Sequence, residues 1–325
     1  MASRRAIVLT SPAAERIRSD LERNAEISVV AHYELSQTRD ADELAQGLRG
    51  AWAVIAASEP YTPEVFARTP DLTAILRWGT GSDAIDVDAA TDAGVAVVTT
   101  PGVNAEVVAD MALALMLACI RGLPRLDAAV RDGEWRVKAP SRDLAGATAG
   151  VVGLGAIGRA VVRRLHGFGC RVLALEPNPD PDFCTEYGVE LMADLGTLLP
   201  QVDVLTLHAP LIPATHGLIG ARELALLAPH AVLVNTARGE LVDQAALAAA
   251  LTAGRLAAAG LDVFEREPPA PDDPILSAPN ALLTGHVSSY TELGLARTAE
   301  AVLANLGQLL AGKLPASCLN PSAWA

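Results

Sequence analysis

The chain has 325 residues, of which 51% are hydrophobic and 19% charged, enough apolar material for two domains with proper cores and too much for extended disorder. Its formal net charge of -13 repels phosphate backbones and anionic lipid headgroups, so nucleic acid and membrane surfaces are poor partners. Four scattered cysteines, Cys119, Cys170, Cys184 and Cys318, form no Cys-x-x-Cys pair, which argues against a disulfide framework or a metal cage and for a reducing cytoplasm.

Arg4-Arg5 precedes a short apolar run, but Glu15 and Arg16 follow so soon that the segment reads as a first strand rather than a signal peptide. Short apolar strands then alternate with helical stretches: Ala6–Leu9, Ile27–Val30, Ala53–Ala56, Ala74–Leu76 and Val95–Val98. That alternation implies a parallel sheet covered by helices. After Thr99-Thr100-Pro101-Gly102, Asn104 is placed to cap a long helix to about Ile120, with Glu106 in its first turn. The turn and helix read as a crossing between domains. The run Met111–Ile120 is about half a membrane span and amphipathic, so it reads as a buried helix.

Beyond a charged, irregular stretch from about Arg131 to Arg142, six further strands are expected: Ala149–Gly153, Arg171–Glu176, Val202–Leu207, Val232–Asn235, Ala258–Val263 and Ala281–Thr284. They match a complete doubly wound sheet. Ser289 with Glu292 reads as a capping box opening a last helix that ends near Gly312. That helix is positioned to carry the chain back to the first domain. The expected organisation is therefore residues 1–99 with 290–325 as a substrate-binding domain, and 100–289 as a nucleotide-binding domain inserted into it.

Gly153-Leu154-Gly155-Ala156-Ile157-Gly158 lies between a buried strand and a helical stretch. Gly153 permits the tight turn, Gly155 the close approach of a pyrophosphate, and Gly158 the packing of helix on strand, with the helix amino terminus facing the phosphates. A plain strand-to-helix turn is the alternative. Glu176, about 20 residues on, is placed to accept hydrogen bonds from ribose hydroxyls and to repel a 2'-phosphate. The Pro177–Asp182 segment after it has no Lys or Arg. This favours NAD over NADP, although Glu176 also reads as an ordinary exposed strand-end carboxylate.

Arg238 in Asn235-Thr236-Ala237-Arg238-Gly239, Glu267 in Asp262-Val263-Phe264-Glu265-Arg266-Glu267-Pro268, and His286 in Thr284-Gly285-His286 all follow strand ends of one sheet. Each alone has a bland reading as a surface cation, a solvated loop residue or a satisfied strand-end histidine. Their shared placement on the edge where such sheets bind ligands favours the functional one.

With these phrases, and with Gly79-Thr80-Gly81-Ser82-Asp83, Asn104-Ala105-Glu106 and Leu207-His208-Ala209-Pro210-Leu211, the chain resembles the D-isomer-specific 2-hydroxyacid dehydrogenase family over nearly its whole length. The resemblance implies a Rossmann nucleotide-binding domain inserted into a flavodoxin-like substrate domain, and a homodimer through the former. It implies that Arg238 binds the substrate carboxylate and keto oxygen, that His286 is the acid/base and that Glu267 supports it. Gly153, Gly155, Ala156, Ile157, Gly158, Glu176, Thr206, His208, Pro210, Thr215, Asn235, Ala237, Asp262 and His286 would then line NAD, and Arg77, Gly79, Thr80, Gly81 and Arg238 the substrate. No metal is implied.

The chemistry is coherent: hydride reaching a keto carbon builds negative charge on oxygen, which a guanidinium stabilises and an imidazolium quenches. A buried glutamate against the imidazole favours the charged ring. Gly79-Thr80-Gly81 leans toward the phosphoglycerate dehydrogenase branch. That branch usually carries a basic residue where this chain has Ala56-Ala57-Ser58-Glu59, and its carboxyl-terminal regulatory domain is not expected in a chain stopping at Ala325. Ala84 stands where relatives often have Asn. Arg77 reads either as a contact to a second anionic group or as the partner of Asp71 or Asp83, and Trp135 as a subunit contact. The expected function is that of an NAD-dependent D-2-hydroxyacid dehydrogenase, working mainly as a reductase of a small 2-keto acid such as glyoxylate or hydroxypyruvate, or acting on a phosphoglycerate-like acid. The alternative is a non-enzymatic, NAD-sensing corepressor-like protein of the same fold.

Overall fold

The computed structural model describes residues 4–138 and 141–324, so residues 139 and 140 of the expected irregular stretch lie outside the described residues. The chain divides into two compact units, one of residues 1–104 with 291–325 and one of residues 105–290.

In the first unit, β1 (Arg5–Leu9), β2 (Ile27–Ala31), β3 (Ala53–Ala56), β4 (Ala74–Arg77) and β5 (Ala96–Val98) form a parallel sheet in the order β2-β1-β3-β4-β5. This is the flavodoxin-like order. Strands this apolar make sense only if both faces are covered, because successive side chains point to opposite sides. Ile7, Leu9, Ile55 and Leu76 enter one cluster, and Val8, Val54 and Ile75 the other. The helix Glu292–Leu310 lays Val302, Leu306 and Leu309 on the first of these faces, each worth about 1.5–3 kcal/mol of burial. Its cap differs from the expected one: Thr291, not Ser289, is the N-cap, and its hydroxyl accepts from the Gly294 N–H at 3.0 Å. Beyond it, the chain end pairs with the sheet edge, Asn320 bonding both Val97 N–H and Val95 C=O.

The second unit holds β6 (Thr148–Val152), β7 (Arg171–Leu175), β8 (Glu190–Leu191), β9 (Val204–Leu207), β10 (Val232–Asn235), β11 (Ala258–Leu261) and β12 (Ala281–Leu283). They run parallel in the order β12-β11-β10-β9-β6-β7-β8, a Rossmann order extended by one strand. The expected six strands are thus seven. β8 escapes a pattern search because it is two exposed residues long and has no apolar run to reveal it.

Alternation again divides the core. Val151, Val172, Val204 and Val234 face one side, packed against the helix Ala105–Arg121, and Val152, Leu173, Leu205 and Leu233 face the other. Glu106 in the first turn of that helix binds Arg163 and Arg164 of the helix Ala156–Gly167, each at 2.8 Å.

A further helix, Leu123–Arg131, precedes the irregular stretch and was not evident from periodicity. Gly122, at φ 62°, turns the chain into it. No single helix among the described residues is long and apolar enough to cross a membrane; Ala105–Arg121 and Leu123–Arg131 reach that apolarity only as a pair bent by 62°.

Candidate active site

At the carboxyl end of β6 the chain turns through Gly153 (φ 94°) into the helix Ala156–Gly167. A side chain at Gly153 would sit 2.7 Å from the His208 carbonyl oxygen, and one at Gly158 would sit 2.0 Å from the Gly153 carbonyl oxygen. Both glycines are required by close packing. Gly155 differs: a β-carbon there meets nothing within 4 Å, and no side chain caps the helix that Gly155 opens. An open surface before uncapped N–H groups suits an anionic phosphate. Ala156 and Ile157 supply the first of those N–H groups.

Glu176, one residue past β7, accepts from the Leu154 N–H at 2.7 Å through Oε2 and from the Asn178 N–H at 2.9 Å through Oε1. Its carboxylate is thereby fixed beside the glycine turn with lone pairs remaining for hydroxyl donors. These features fit a dinucleotide: a cradle left open at Gly155, an uncapped helix end and an oriented acceptor.

Thr206 and His208 at the end of β9 pair with one another, Oγ1 to Nε2 at 2.9 Å. Thr206 is fully buried. His208 Nδ1 is out of water with no partner, and burial pushes the imidazole down to about 3, so the ring is neutral. Pro210 and Thr215 meet in one exposed loop, where the Thr215 hydroxyl donates to the Pro210 carbonyl at 2.6 Å.

Three further loops follow the adjacent strands β10, β11 and β12. Buried Asn235 uses its side chain on its own loop, donating to the Arg238 carbonyl at 2.7 Å and accepting from the Ala237 N–H at 3.0 Å. This fixes the backbone that presents Arg238, whose Nη1 donates to the Ala237 carbonyl at 2.6 Å. A β-carbon at Gly239 would fall 1.9 Å from the Phe264 carbonyl carbon. The Arg238 loop is therefore seated directly on the backbone after β11.

From that same backbone, the Phe264 N–H donates to Glu267 Oε1 at 3.2 Å, while Oε2 of Glu267 holds His286 Nδ1 at 2.7 Å. With Nδ1 engaged, Nε2 is the ring atom left to exchange a proton. The Glu267 side chain keeps 33% of its exposure and His286 keeps 43%, which corrects the expectation of a buried glutamate. The hydrogen-bonded pair sits at the rim, open to solvent and ligand.

Asp262, expected to line NAD, has a side chain doing other work that the sequence did not reveal. Fully buried, it accepts from Thr284 Oγ1 at 2.6 Å and Val287 N at 3.0 Å through Oδ1, and from both N and Oγ of Ser288 through Oδ2. Its own carbonyl accepts from the His286 N–H at 2.7 Å. His286 stands at φ 54°, a conformation that costs a residue with a β-carbon about 1–3 kcal/mol and persists only when its surroundings enforce it. Asp262 supplies that enforcement. The Leu261-Asp262 and Thr284-Gly285-His286 phrases, each next to a strand end, were the available signal.

In the first unit, Arg77 ends β4 and donates to the carbonyls of Ala56 and Trp78 and to Ser58 Oγ at 3.3 Å. Arg39 donates to the Ser58 carbonyl at 3.4 Å. The Ala56–Glu59 segment lacks a basic residue in sequence but has two beside it in space. Gly79 turns at φ 137°, Thr80 donates to the Thr100 carbonyl at 3.1 Å, and Gly81 follows on the same loop.

A cavity of about 660 Å³ lies at the opposite edge of the seven-stranded sheet, lined by Ala147, Val232, Ala258 and Ala281 at strand starts and by Arg125 and His230. It is remote from the chemistry described above.

Residues 113–288 match the model of the D-isomer specific 2-hydroxyacid dehydrogenase NAD binding domain. A glyoxylate reductase of Korarchaeum cryptofilum is 42% identical over 268 residues, covering 81% of this chain and 80% of the relative. A D-3-phosphoglycerate dehydrogenase of Methanocaldococcus jannaschii is 36% identical over 319 residues, which is 97% of this chain but 59% of that protein. Among solved structures, the D-lactate dehydrogenase of Aquifex aeolicus complexed with NAD and lactic acid superposes with a TM-score of 0.86 at 26% identity, covering 97% of this chain and 99% of the other.

Proposed function

This chain belongs to the D-isomer specific 2-hydroxyacid dehydrogenase family, and from that premise we propose that it reduces a small 2-keto acid of the glyoxylate or hydroxypyruvate kind with NADH. The supporting observation is the chain of contacts from Arg238 through Gly239 and Phe264 to Glu267 and His286. It supports reading Arg238, Glu267 and His286, on loops after adjacent strands of one sheet, as the reacting groups.

When bound, NADH supplies a hydride to the keto carbon. Arg238 binds the substrate carboxylate and keto oxygen, so its charge stabilises the oxyanion as it develops. His286 then gives its Nε2 proton to that oxygen, leaving a neutral ring and a 2-hydroxy acid. Glu267 holds Nδ1 and so fixes the ring's orientation, leaving Nε2 to face the substrate oxygen. Gly155 and the N–H groups of Ala156 and Ile157 receive the pyrophosphate, and Glu176 the ribose.

A homodimer through the second unit completes the reading. It is supported by exposed Leu123, Val130 and Trp135, the last at 77% exposure. Replacing Trp135 by Asp is expected to lower the mass seen by light scattering. The four free cysteines, with Cys119 pushed by burial up to about 12 and so inert as a nucleophile, support a reducing, cytoplasmic setting.

The test is NADH oxidation followed at its absorbance across glyoxylate, hydroxypyruvate and 3-phosphohydroxypyruvate. Turnover of the first two above the third is expected. Turnover of none of them by well-folded protein would sink the proposal.

A further inference from the structure

The segment after Glu176 has no basic residue of its own, yet the fold brings one there. Arg159, in the first turn of the helix Ala156–Gly167, donates through Nε to the Leu154 carbonyl at 2.8 Å and through Nη1 to Asp180 Oδ2 at 2.8 Å. The N–H of the same Leu154 is held by Glu176. Glu176, read above as the ribose acceptor, and a guanidinium therefore bracket a single residue of the glycine turn.

Asp180 has a second attachment. Its Oδ1 accepts from the N–H groups of Asp182 and Phe183, capping the helix Pro181–Tyr187, while Arg159 also lies over the Phe183 ring at 5.4 Å. The guanidinium is thus tethered on one side by a carboxylate that the backbone itself holds in place.

A 2'-phosphate brought beside Glu176 would need a cation to offset two negative groups, and Arg159 is the cation at hand. We propose that Asp180 is a second determinant of NAD over NADP: it occupies Arg159 and adds its own negative charge, so the protein carries a latent 2'-phosphate site that Asp180 keeps closed together with Glu176. The inference rests on the coenzyme reading above and concerns discrimination at the ribose, not the keto acid.

The test needs no substrate. Dissociation constants for NADH and NADPH are measured by fluorescence titration for the unmodified chain, Asp180→Asn, Arg159→Met and the double variant, at low and high salt. Asparagine retains the helix cap, so Asp180→Asn keeps its fold, checked by its thermal midpoint. The expected result is a fall of roughly tenfold in the NADPH-to-NADH ratio of dissociation constants for Asp180→Asn. That gain should be absent from the Arg159→Met background and smaller at high salt. A ratio unmoved by Asp180→Asn, or a gain that survives loss of Arg159, overturns the inference alone. Failure of the unmodified chain to bind NADH overturns the coenzyme reading beneath it.

Discussion

Asp262 after β11 and Glu59 after β3 are both fully buried carboxylates at the carboxyl ends of parallel strands, yet their surroundings treat them differently. Each oxygen of Asp262 accepts from two donors, and all four belong to residues 284–288. Glu59 concentrates its bonds on Oε1, which accepts from the hydroxyls of Thr10 and Tyr61 and from the Ala57 N–H, while Oε2 is buried without a partner. A buried carboxylate is tolerated when its lone pairs are matched by donors. The Asp262 arrangement spreads that match over one loop and so makes the loop rigid. The Glu59 arrangement ties β1 to β3 and leaves half of the group idle. Rigidity is spent where a histidine must be held at positive φ, and the other sheet does without it.

Four measurements would break or sharpen this contrast. Replacing His286 by Ala removes the group that the Asp262 network positions, and kcat is expected to fall by about 10³-fold with NADH affinity changed little; a wild-type rate would strip the network of its purpose. Asp262→Asn puts an amide NH₂ against one pair of donors. Loss of about 3 kcal/mol in urea unfolding is expected, with kcat falling toward that of the His286 variant, and a fully stable, active variant would refute the role given to Asp262.

His208, half-buried with Nδ1 out of water, offers a third group, this time kept neutral. Its folded value of about 3 lies below the ordinary 6.5, so between those limits the unfolded chain binds more protons and stability falls as the pH drops. Lowering the pH from about 6.5 to about 5 should cost about 2 kcal/mol more in the native chain than in His208→Gln, as read from paired denaturation curves; parallel curves would mean that the ring is hydrated. The smallest effect belongs to Glu59→Gln. Its amide oxygen can keep the three donors while NH₂ replaces the idle Oε2, so the change in unfolding free energy should stay below about 1 kcal/mol. A loss as large as that of Asp262→Asn would erase the distinction between the two sheets.

Where chemistry is written into backbone sterics, the sequence was legible. Gly153 and Gly158 stand where a β-carbon would strike a carbonyl, and that exclusion leaves its mark directly in the one-dimensional pattern. Strands buried on both faces likewise betray themselves as apolar runs. β8 does not, because two exposed residues make no run, and the last helix was capped by Thr291 rather than Ser289 because either residue type caps equally well until the chain direction is known.

The sequence by itself determined the two parallel sheets, the glycine turn and the family resemblance, since periodicity and glycine placement are local properties. Only the tertiary structure decided which side chains share a point in space. It brought Arg159 to Asp180 across 21 positions and Asp262 to Ser288 across 26, and it set both Arg39 and Arg77 against Ser58. Hydrogen bonds between side chains on different strands depend on register and loop path, and neither is encoded within any short stretch of the chain.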